Sequence, residues 1–132
     1  MIDLTGNGSG RTRSSRTLIV DDNRDSAASL AMLLEMSGHT TQLAYDGWEA
    51  VKLAMTFKPD VVLLDLSLPQ LDGFEAARRI RREPWGRDMI LVALTGWGQN
   101  EARERSRAAG FDAHLVKPVD HEVIMGLLAG LQ

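Results

Sequence analysis

The sequence predicts an α/β protein in which helices cover both faces of a doubly wound parallel sheet. Short segments rich in Val, Ile and Leu alternate with amphipathic helical segments five times along the 132 residues. The short segments are apolar on both faces, as expected of parallel strands buried between two helix layers. Right-handed crossovers then place helices on both sides of the sheet, and the chain is too short for a closed eight-stranded barrel.

The five strands are short apolar runs, each bounded by turn-forming or polar residues. In chain order they are predicted at residues 17–20, 40–44, 61–65, 89–94 and 113–116. The first, third and fourth are runs of Val, Ile and Leu, the second follows Gly38, and the fifth precedes a Lys-Pro turn.

Five helices are predicted from their apolar spacing and from the residues that start or end them. The first is capped by Asp22 or Asn23 and ended by Gly38. The others span about residues 47–57, 74–83, 100–109 and from about 120 onward. Three of the helices show a buried stripe with helical spacing, formed by Ala27, Leu30, Ala31 and Leu34, by Ala50, Leu53, Ala54 and Phe57, and by Ile124, Leu127, Leu128 and Leu131.

Composition limits the classes of function that fit. Hydrophobic content of 44% and charged content of 25% suit one soluble globular domain. The chain has no cysteine, which excludes disulfides, thiolate metal sites and cysteine nucleophiles. No apolar run has the length of a membrane span or the form of a signal peptide, so we expect a cytoplasmic protein without membrane insertion. The net charge of −3 argues against direct binding to nucleic acid.

The polypeptide divides into a short N-terminal segment and one domain. Residues 1–16 are rich in Gly, Ser, Thr and Arg and are interpreted as a flexible tail or linker, leaving residues 17–132 as the domain. The Gly-x-Gly run inside the segment has no preceding strand, so it is not interpreted as a phosphate-binding loop.

Arginines cluster in two of the predicted helices. Each cluster lies among glutamates, so a solvated helix face is the expected explanation and a docking surface is the alternative. The clusters are Arg78, Arg79, Arg81 and Arg82, and Arg103, Arg105 and Arg107.

Charged or hydroxylated residues stand at the ends of four predicted strands. Asp21 and Asp22 follow the first strand, Asp65 ends the third, Thr95 follows the fourth and Lys117 follows the fifth. In open α/β sheets ligands bind outside the carboxyl ends of the strands. Each residue alone is more commonly structural, but the joint pattern predicts a single site.

Three acids, a lysine and a hydroxyl suit Mg2+-dependent phosphoryl chemistry. Clustered carboxylates repel one another unless a cation enters, and Mg2+ prefers oxygen ligands. An aspartate can act as the nucleophile and form an aspartyl phosphate. The metal and a lysine would neutralise the phosphoryl oxygens, and a threonine hydroxyl could hydrogen-bond to one of them.

The sequence resembles the receiver domain of two-component response regulators over about residues 17–131. The motifs that carry the resemblance are LIVDDN at 18–23, VVLLDLSLPQLDGFE at 61–75, ALTGWG at 93–98 and AGFDAHLVKPVD at 109–120. The resemblance implies a flavodoxin-like receiver fold with strand order 2-1-3-4-5. It also implies a phosphoprotein that catalyses only its own phosphorylation and dephosphorylation, with a histidine kinase or histidine phosphotransfer protein as donor.

The resemblance assigns a role to each site residue. Asp65 would be the phosphoacceptor and also a Mg2+ ligand. Asp22 and the backbone carbonyl of Ser67 would bind the ion directly, and Asp21 would bind it through water. Thr95 and Lys117 would contact the phosphoryl group. The bond between Lys117 and Pro118 would be cis.

Two positions depart from the family pattern or tune it. His114 stands where the family has Tyr or Phe, and we hypothesise a weaker or pH-sensitive switch. Near-identical active-state structural shifts at about pH 6 and about pH 8 would contradict the pH sensitivity. Trp97 either covers its loop or shields the acyl phosphate from water. An unchanged dephosphorylation rate in Trp97→Ala would contradict the shielding role.

Several alternatives stay open on the sequence. A hybrid sensor kinase receiver and a stand-alone regulator fit the same residues. A pseudo-receiver that only binds partners should have lost acids or the lysine. A haloacid dehalogenase-type phosphatase needs a second Asp two residues after the nucleophile, where this chain has Ser67.

Overall fold

The computed structural model describes residues 15–96 and 100–130, which form one five-stranded sheet and five α-helices. The strands are β1 (Arg16–Val20), β2 (Thr40–Ala44), β3 (Val61–Asp65), β4 (Ile90–Thr95) and β5 (Ala113–Val116). The helices are α1 (Arg24–Met36), α2 (Gly47–Phe57), α3 (Gly73–Arg82), α4 (Asn100–Ala109) and α5 (His121–Gly130). Neighbouring strands pair in parallel in the order β2-β1-β3-β4-β5, which confirms the predicted fold class and strand order.

Element boundaries lie close to the predicted ones. β1 begins one residue early, because Arg16 already pairs with Thr40 of β2. Asn23 caps α1, since its side chain accepts the Ser26 N–H. Gly38 ends the turn after α1 at a φ of 95°, a conformation that glycine adopts readily. A short 3-10 helix at Pro84–Gly86 was not predicted.

Two apolar layers, one on each face of the sheet, form the core. Alternate residues of a strand point to opposite faces, so Leu18 and Val20 pack in the layer with α2 and α3, whereas Ile19 packs in the layer with α1 and α5. All five residues of the central strand β3 are buried. Burying a leucine such as Leu63 contributes about 1.5–3 kcal/mol. The buried sheet therefore holds the residues at the ends of its strands in place.

The predicted helix stripes face these layers. Ala27, Ala31, Leu34, Ile124 and Leu128 are buried against one face of the sheet, with Leu30 and Leu127 partly buried beside them. Ala50 and Ala54 are buried against the other face, with Leu53 and Phe57 partly buried. Leu131 and residues 1–14 lie outside the described part of the chain. Among the described helices, none is long and apolar enough to cross a membrane.

Arg81 corrects the expectation that the first arginine cluster is a solvated face. Its guanidinium donates to the carboxylate of Asp112 at 2.6 Å and to four backbone carbonyls, those of Gly86, Arg87, Met89 and Gly110. It therefore joins α3, the 3-10 helix and the starts of β4 and β5. Sequence patterns do not predict these contacts, because four of the five acceptors are backbone carbonyls of the 3-10 helix and of loops.

Candidate functional site

Three carboxylates meet at the carboxyl end of the sheet. Asp21 follows β1, and its N–H donates to the Ala44 carbonyl at 3.0 Å, so the chain is still held to β2 at this point. Asp22 is the next residue, and Asp65 is the last residue of β3. One carboxylate oxygen from each acid lies within 4.8 Å of the others. Asp21 and Asp65 are buried and Asp22 is exposed, so the cluster opens to solvent on one side.

Lys117 reaches into this cluster from the end of β5. Its Nζ lies 2.6 Å from Asp65 Oδ2 and 3.5 Å from Asp21 Oδ2. Its backbone N–H donates to the Thr95 carbonyl at 2.6 Å, which fixes the base of the side chain at the end of β4. The bond between Lys117 and Pro118 is cis, as the resemblance implies.

Burial and neighbouring charges shift the pKa values of Asp21 and Lys117. Burial raises the pKa of the Asp21 carboxyl; the Asn23 N–H and Lys117 oppose this rise, and Asp65 and Asp22 add to it. For Lys117, burial alone would lower the pKa, but the hydrogen bond to Asp65 and the charges of Asp65 and Asp21 outweigh it, and the pKa is raised. Lys117 is therefore an ammonium at neutral pH, and it only partly offsets the negative charge of the site.

Backbone N–H groups orient two of the carboxylates. The Ser67 N–H donates to Asp65 Oδ1 and the Asn23 N–H donates to Asp21 Oδ1, both at 2.9 Å. Asp65 therefore has one oxygen held by Ser67 and the other by Lys117. These contacts fix the side chains before any ligand arrives.

Gly73 lets α3 begin directly against the backbone of the site. A Cβ on this residue would lie 2.5 Å from the Asp65 carbonyl oxygen and 2.7 Å from Leu66 Cα. Such contacts are closer than atoms tolerate, so a larger residue would displace the backbone that carries Asp65. The helix was predicted to begin at about residue 74, whereas Gly73 is the first residue of α3.

The remaining predicted residues lie around this cluster or beyond the described structure. Thr95 is buried at the end of β4, one residue past Leu94, the partner of Asp65 in the sheet. His114 lies outside the acid cluster, on β5, where its Nδ1 is 3.0 Å from Ser106 Oγ of α4. Sequence reasoning missed Ser106, because a serine among helical arginines carries no distinctive signal. Trp97 lies outside the described residues.

A cleft of about 630 Å3 opens between α1 and α5 beside the site. Asp21 and Lys117 line the end of the cleft at the acid cluster. The rest of the lining is mostly apolar or weakly polar and comprises Asp25, Ser26, Ser29, Leu30, Leu33, Leu94, Pro118, Val119, His121 and Ile124. A partner that occupied this cleft would contact residues that border Asp65.

Comparison with known sequences identifies relatives over most of the chain. The sequence profile of the response regulator receiver domain matches residues 17–129. The DNA-binding dual master transcriptional regulator RpaA of Synechocystis is 35% identical over 116 residues, which cover 88% of this chain and 48% of that protein. Response regulator MprA of Mycobacterium ulcerans is 36% identical over 116 residues, with 88% and 49% covered. The chain therefore spans about half the length of these curated relatives.

Solved structures share both the fold and the sequence pattern. The receiver domain of sensor histidine kinase PA1611 from Pseudomonas aeruginosa has a magnesium ion coordinated in its active-site cleft. It is 31% identical, with a TM-score of 0.82 over 90% of this chain and 98% of that chain. Chemotaxis protein CheY4 of Vibrio cholerae is 26% identical, with a TM-score of 0.85 over 91% and 100%. The predicted family is confirmed.

Proposed function

Because the chain belongs to the response regulator receiver domain family, we propose that it accepts a phosphoryl group on Asp65 from a phosphohistidine donor. The proposal rests on one observation in particular. Asp65 lies within 4.8 Å of Asp21 and Asp22 and is bonded by Lys117 at 2.6 Å, at the open carboxyl end of a rigid sheet. These are the groups that an aspartyl phosphate and a divalent cation require.

The donor set fits Mg2+. Three carboxylates converge with one ammonium between them, so the site has excess negative charge and only hard oxygen donors, which Mg2+ prefers. Asp22, Asp65 and the carbonyl of Ser67 would hold the ion directly, and Asp21 would act through water. When bound, the ion supplies positive charge that neutralises the phosphoryl oxygens.

In the proposed reaction a carboxylate oxygen of Asp65 forms a bond to phosphorus as the bond from phosphorus to the donor imidazole nitrogen breaks. The departing imidazole nitrogen keeps the electron pair of the broken bond and takes a proton from solvent. The donor ring therefore leaves as neutral imidazole. Lys117, an ammonium already within 2.6 Å of Asp65 Oδ2, exchanges that contact for a phosphoryl oxygen. The Thr95 hydroxyl donates to another phosphoryl oxygen. The added charge of about −1.5 to −2 shifts the contacts of both residues and so changes the partner-binding surface.

The cleft between α1 and α5 supports docking of the phosphodonor. A phosphohistidine can reach Asp65 only if its carrier covers the surface that borders the acid cluster. The cleft ends at Asp21 and Lys117 and presents Leu30 and Leu33 of α1 opposite Ile124 of α5. We assign this surface to a histidine kinase or a histidine phosphotransfer protein. The same chemistry serves a hybrid-kinase receiver and a stand-alone regulator.

Self-phosphorylation, rather than turnover of small phosphate esters, is the proposed chemistry. An aspartate-nucleophile phosphatase needs an acid/base group two residues after the nucleophile, and that residue here is Ser67, whose backbone N–H is already bonded to Asp65. Ser67 has no carboxyl group to protonate a leaving alcohol. A generic phosphate ester should therefore not be hydrolysed.

Intact mass after incubation with acetyl phosphate tests the proposal. We expect one phosphoryl adduct that needs Mg2+, disappears in Asp65→Asn, and persists in the control Asp60→Asn, which changes an aspartate at the opposite end of β3. If acetyl phosphate gives no adduct, a phosphorylated histidine phosphotransfer protein is used as donor. No adduct from either donor, in protein that binds Mg2+, would establish a pseudo-receiver instead.

A further inference from the structure

A buried polar cluster lies at the amino end of the sheet, opposite the acid cluster. Ser15, Thr17 and His39 are 3%, 0% and 3% exposed. Ser15 precedes β1, and His39 precedes β2, which is the edge strand and pairs only with β1 among the described strands. Thr17, the member of the cluster nearest to Asp21 in sequence, lies four residues before it, roughly 13 Å along β1 at about 3.3 Å per residue.

Hydrogen bonds fix the protonation state of His39. The Ser15 backbone N–H donates to His39 Nδ1 at 3.0 Å, and Ser15 Oγ lies 3.0 Å from the same nitrogen and 2.9 Å from Thr17 Oγ1. A backbone N–H can only donate, so Nδ1 presents a lone pair and the neutral ring carries its proton on Nε2. Nε2 is buried and has no hydrogen-bond partner within residues 15–96 and 100–130. A second proton would occupy Nδ1 and face the Ser15 N–H.

No described charged side chain offsets a positive charge on this ring. On α1, the carboxylate of Glu35 accepts from the Thr41 hydroxyl. On β1, the Arg16 guanidinium stacks on Phe57 and donates to its carbonyl. The described part of α5 after Glu122 contains no charged residue. Burial lowers the pKa of His39, which agrees with this setting.

We propose that His39 is a pH-sensitive latch that holds the start of β1 to the start of β2 while its imidazole is neutral and releases Ser15 when it takes up a proton. Protonation replaces the acceptor of the Ser15 N–H with a second donor and buries an unpaired cation. The contact that opens next is the Thr40 N–H to the Ser15 carbonyl, at 2.9 Å. The latch therefore determines how tightly the start of β1 is held to the start of β2.

Amide exchange and imidazole titration measured by NMR test the latch on the full chain. We expect the His39 ring to stay neutral to a lower pH than an unperturbed imidazole, whose pKa is about 6.5. Opening takes up one proton, so the exchange protection factors of the Ser15 and Thr40 amides should fall by up to about tenfold per pH unit below 6.5. Amides in the paired centre of β3 and β4 should keep their protection.

Two variants separate the latch from general acid sensitivity. Asparagine places Oδ1 where Nδ1 lies and cannot be protonated, so His39→Asn should make the protection of Ser15 and Thr40 independent of pH. His121→Asn removes an exposed imidazole and should retain the wild-type pH dependence. Titration of His39 like an unperturbed imidazole, with constant protection of the Ser15 and Thr40 amides, would overturn the proposal, as would unchanged pH dependence in His39→Asn. If His39→Asn does not fold, the wild-type titration alone decides.

Discussion

The two ends of the sheet use aspartate in opposite ways. At the amino end, Asp60 and Asp112 each accept a backbone N–H from a neighbouring strand at 2.9 Å. At the carboxyl end, Asp21, Asp22 and Asp65 approach one another within 4.8 Å. The first pair of acids joins strands together, whereas the second group concentrates like charge.

This difference separates residues that stabilise the fold from residues that are held for chemistry. A carboxylate that accepts a backbone N–H from another strand, away from other carboxylates, contributes about 0.5–1.5 kcal/mol or more to stability. Carboxylates gathered around one lysine oppose folding until a cation enters, because burial and like charge both disfavour ionisation. We infer that the like charge of Asp21, Asp22 and Asp65 lowers the free energy of unfolding of the metal-free protein. Contacts at the amino end of the sheet offset this loss.

Replacing Arg81 should give the largest loss of stability at the amino end. Arg81→Ala removes an ion pair to Asp112 and the donor to four carbonyls, so we expect unfolding to become easier by about 3 kcal/mol. Arg82→Ala, an exposed neighbour on the same helix, should change stability by less than about 0.5 kcal/mol. Urea unfolding measures both, and equal losses would show that the Arg81 contacts add nothing specific.

Arg81 also illustrates where sequence reasoning stops. Asp65, Asp21, Asp22 and Lys117 could be placed together because each follows an apolar strand, and parallel strands end at one edge. The partners of Arg81 are mostly backbone carbonyls, which have no sequence signature.

The proposed role of His39 could not be predicted from the sequence either, since it depends on the burial of Ser15 and on a buried Nε2 without a described hydrogen-bond partner. The same holds for the contact of His114 with Ser106. Periodicity predicted the strands and the helices well because both follow from burial, and burial repeats along the sequence. The strand order was predicted only through the resemblance to receiver domains. Side-chain partners drawn from distant loops do not repeat, so pattern alone does not give them.

Neutralising Asp21 should stabilise the metal-free protein. Asp21→Asn keeps an Oδ1 acceptor for the Asn23 N–H but removes a buried charge, so we expect a gain of about 1 kcal/mol at neutral pH. The pKa of Asp21 is raised above its ordinary 3.8, so its favourable contribution is complete below pH 3.8 and is lost as pH rises through the folded value. The stability gain of Asp21→Asn over wild type should therefore vanish at acidic pH.

Adding Mg2+ should make wild type more stable than Asp21→Asn. At about 100 times its dissociation constant, a ligand that binds only the native state stabilises it by about 2.7 kcal/mol. Wild type should gain that amount in thermal or urea unfolding, and Asp21→Asn should gain much less. An equal gain in the two proteins would show that Asp21 takes no part in holding the cation.

The smallest expected effects compare one exposed aspartate from each end. Asp60→Ala leaves the Arg16 N–H without its acceptor and should cost about 1 kcal/mol, whereas Asp22→Ala without Mg2+ should change stability by less than about 0.5 kcal/mol. Phosphoryl incorporation should show the opposite order, with Asp60→Ala retaining it and Asp22→Ala losing it. If Asp22→Ala were as destabilising as Asp60→Ala, the carboxyl-end acids would support the fold as well, and the division between the two ends would not hold.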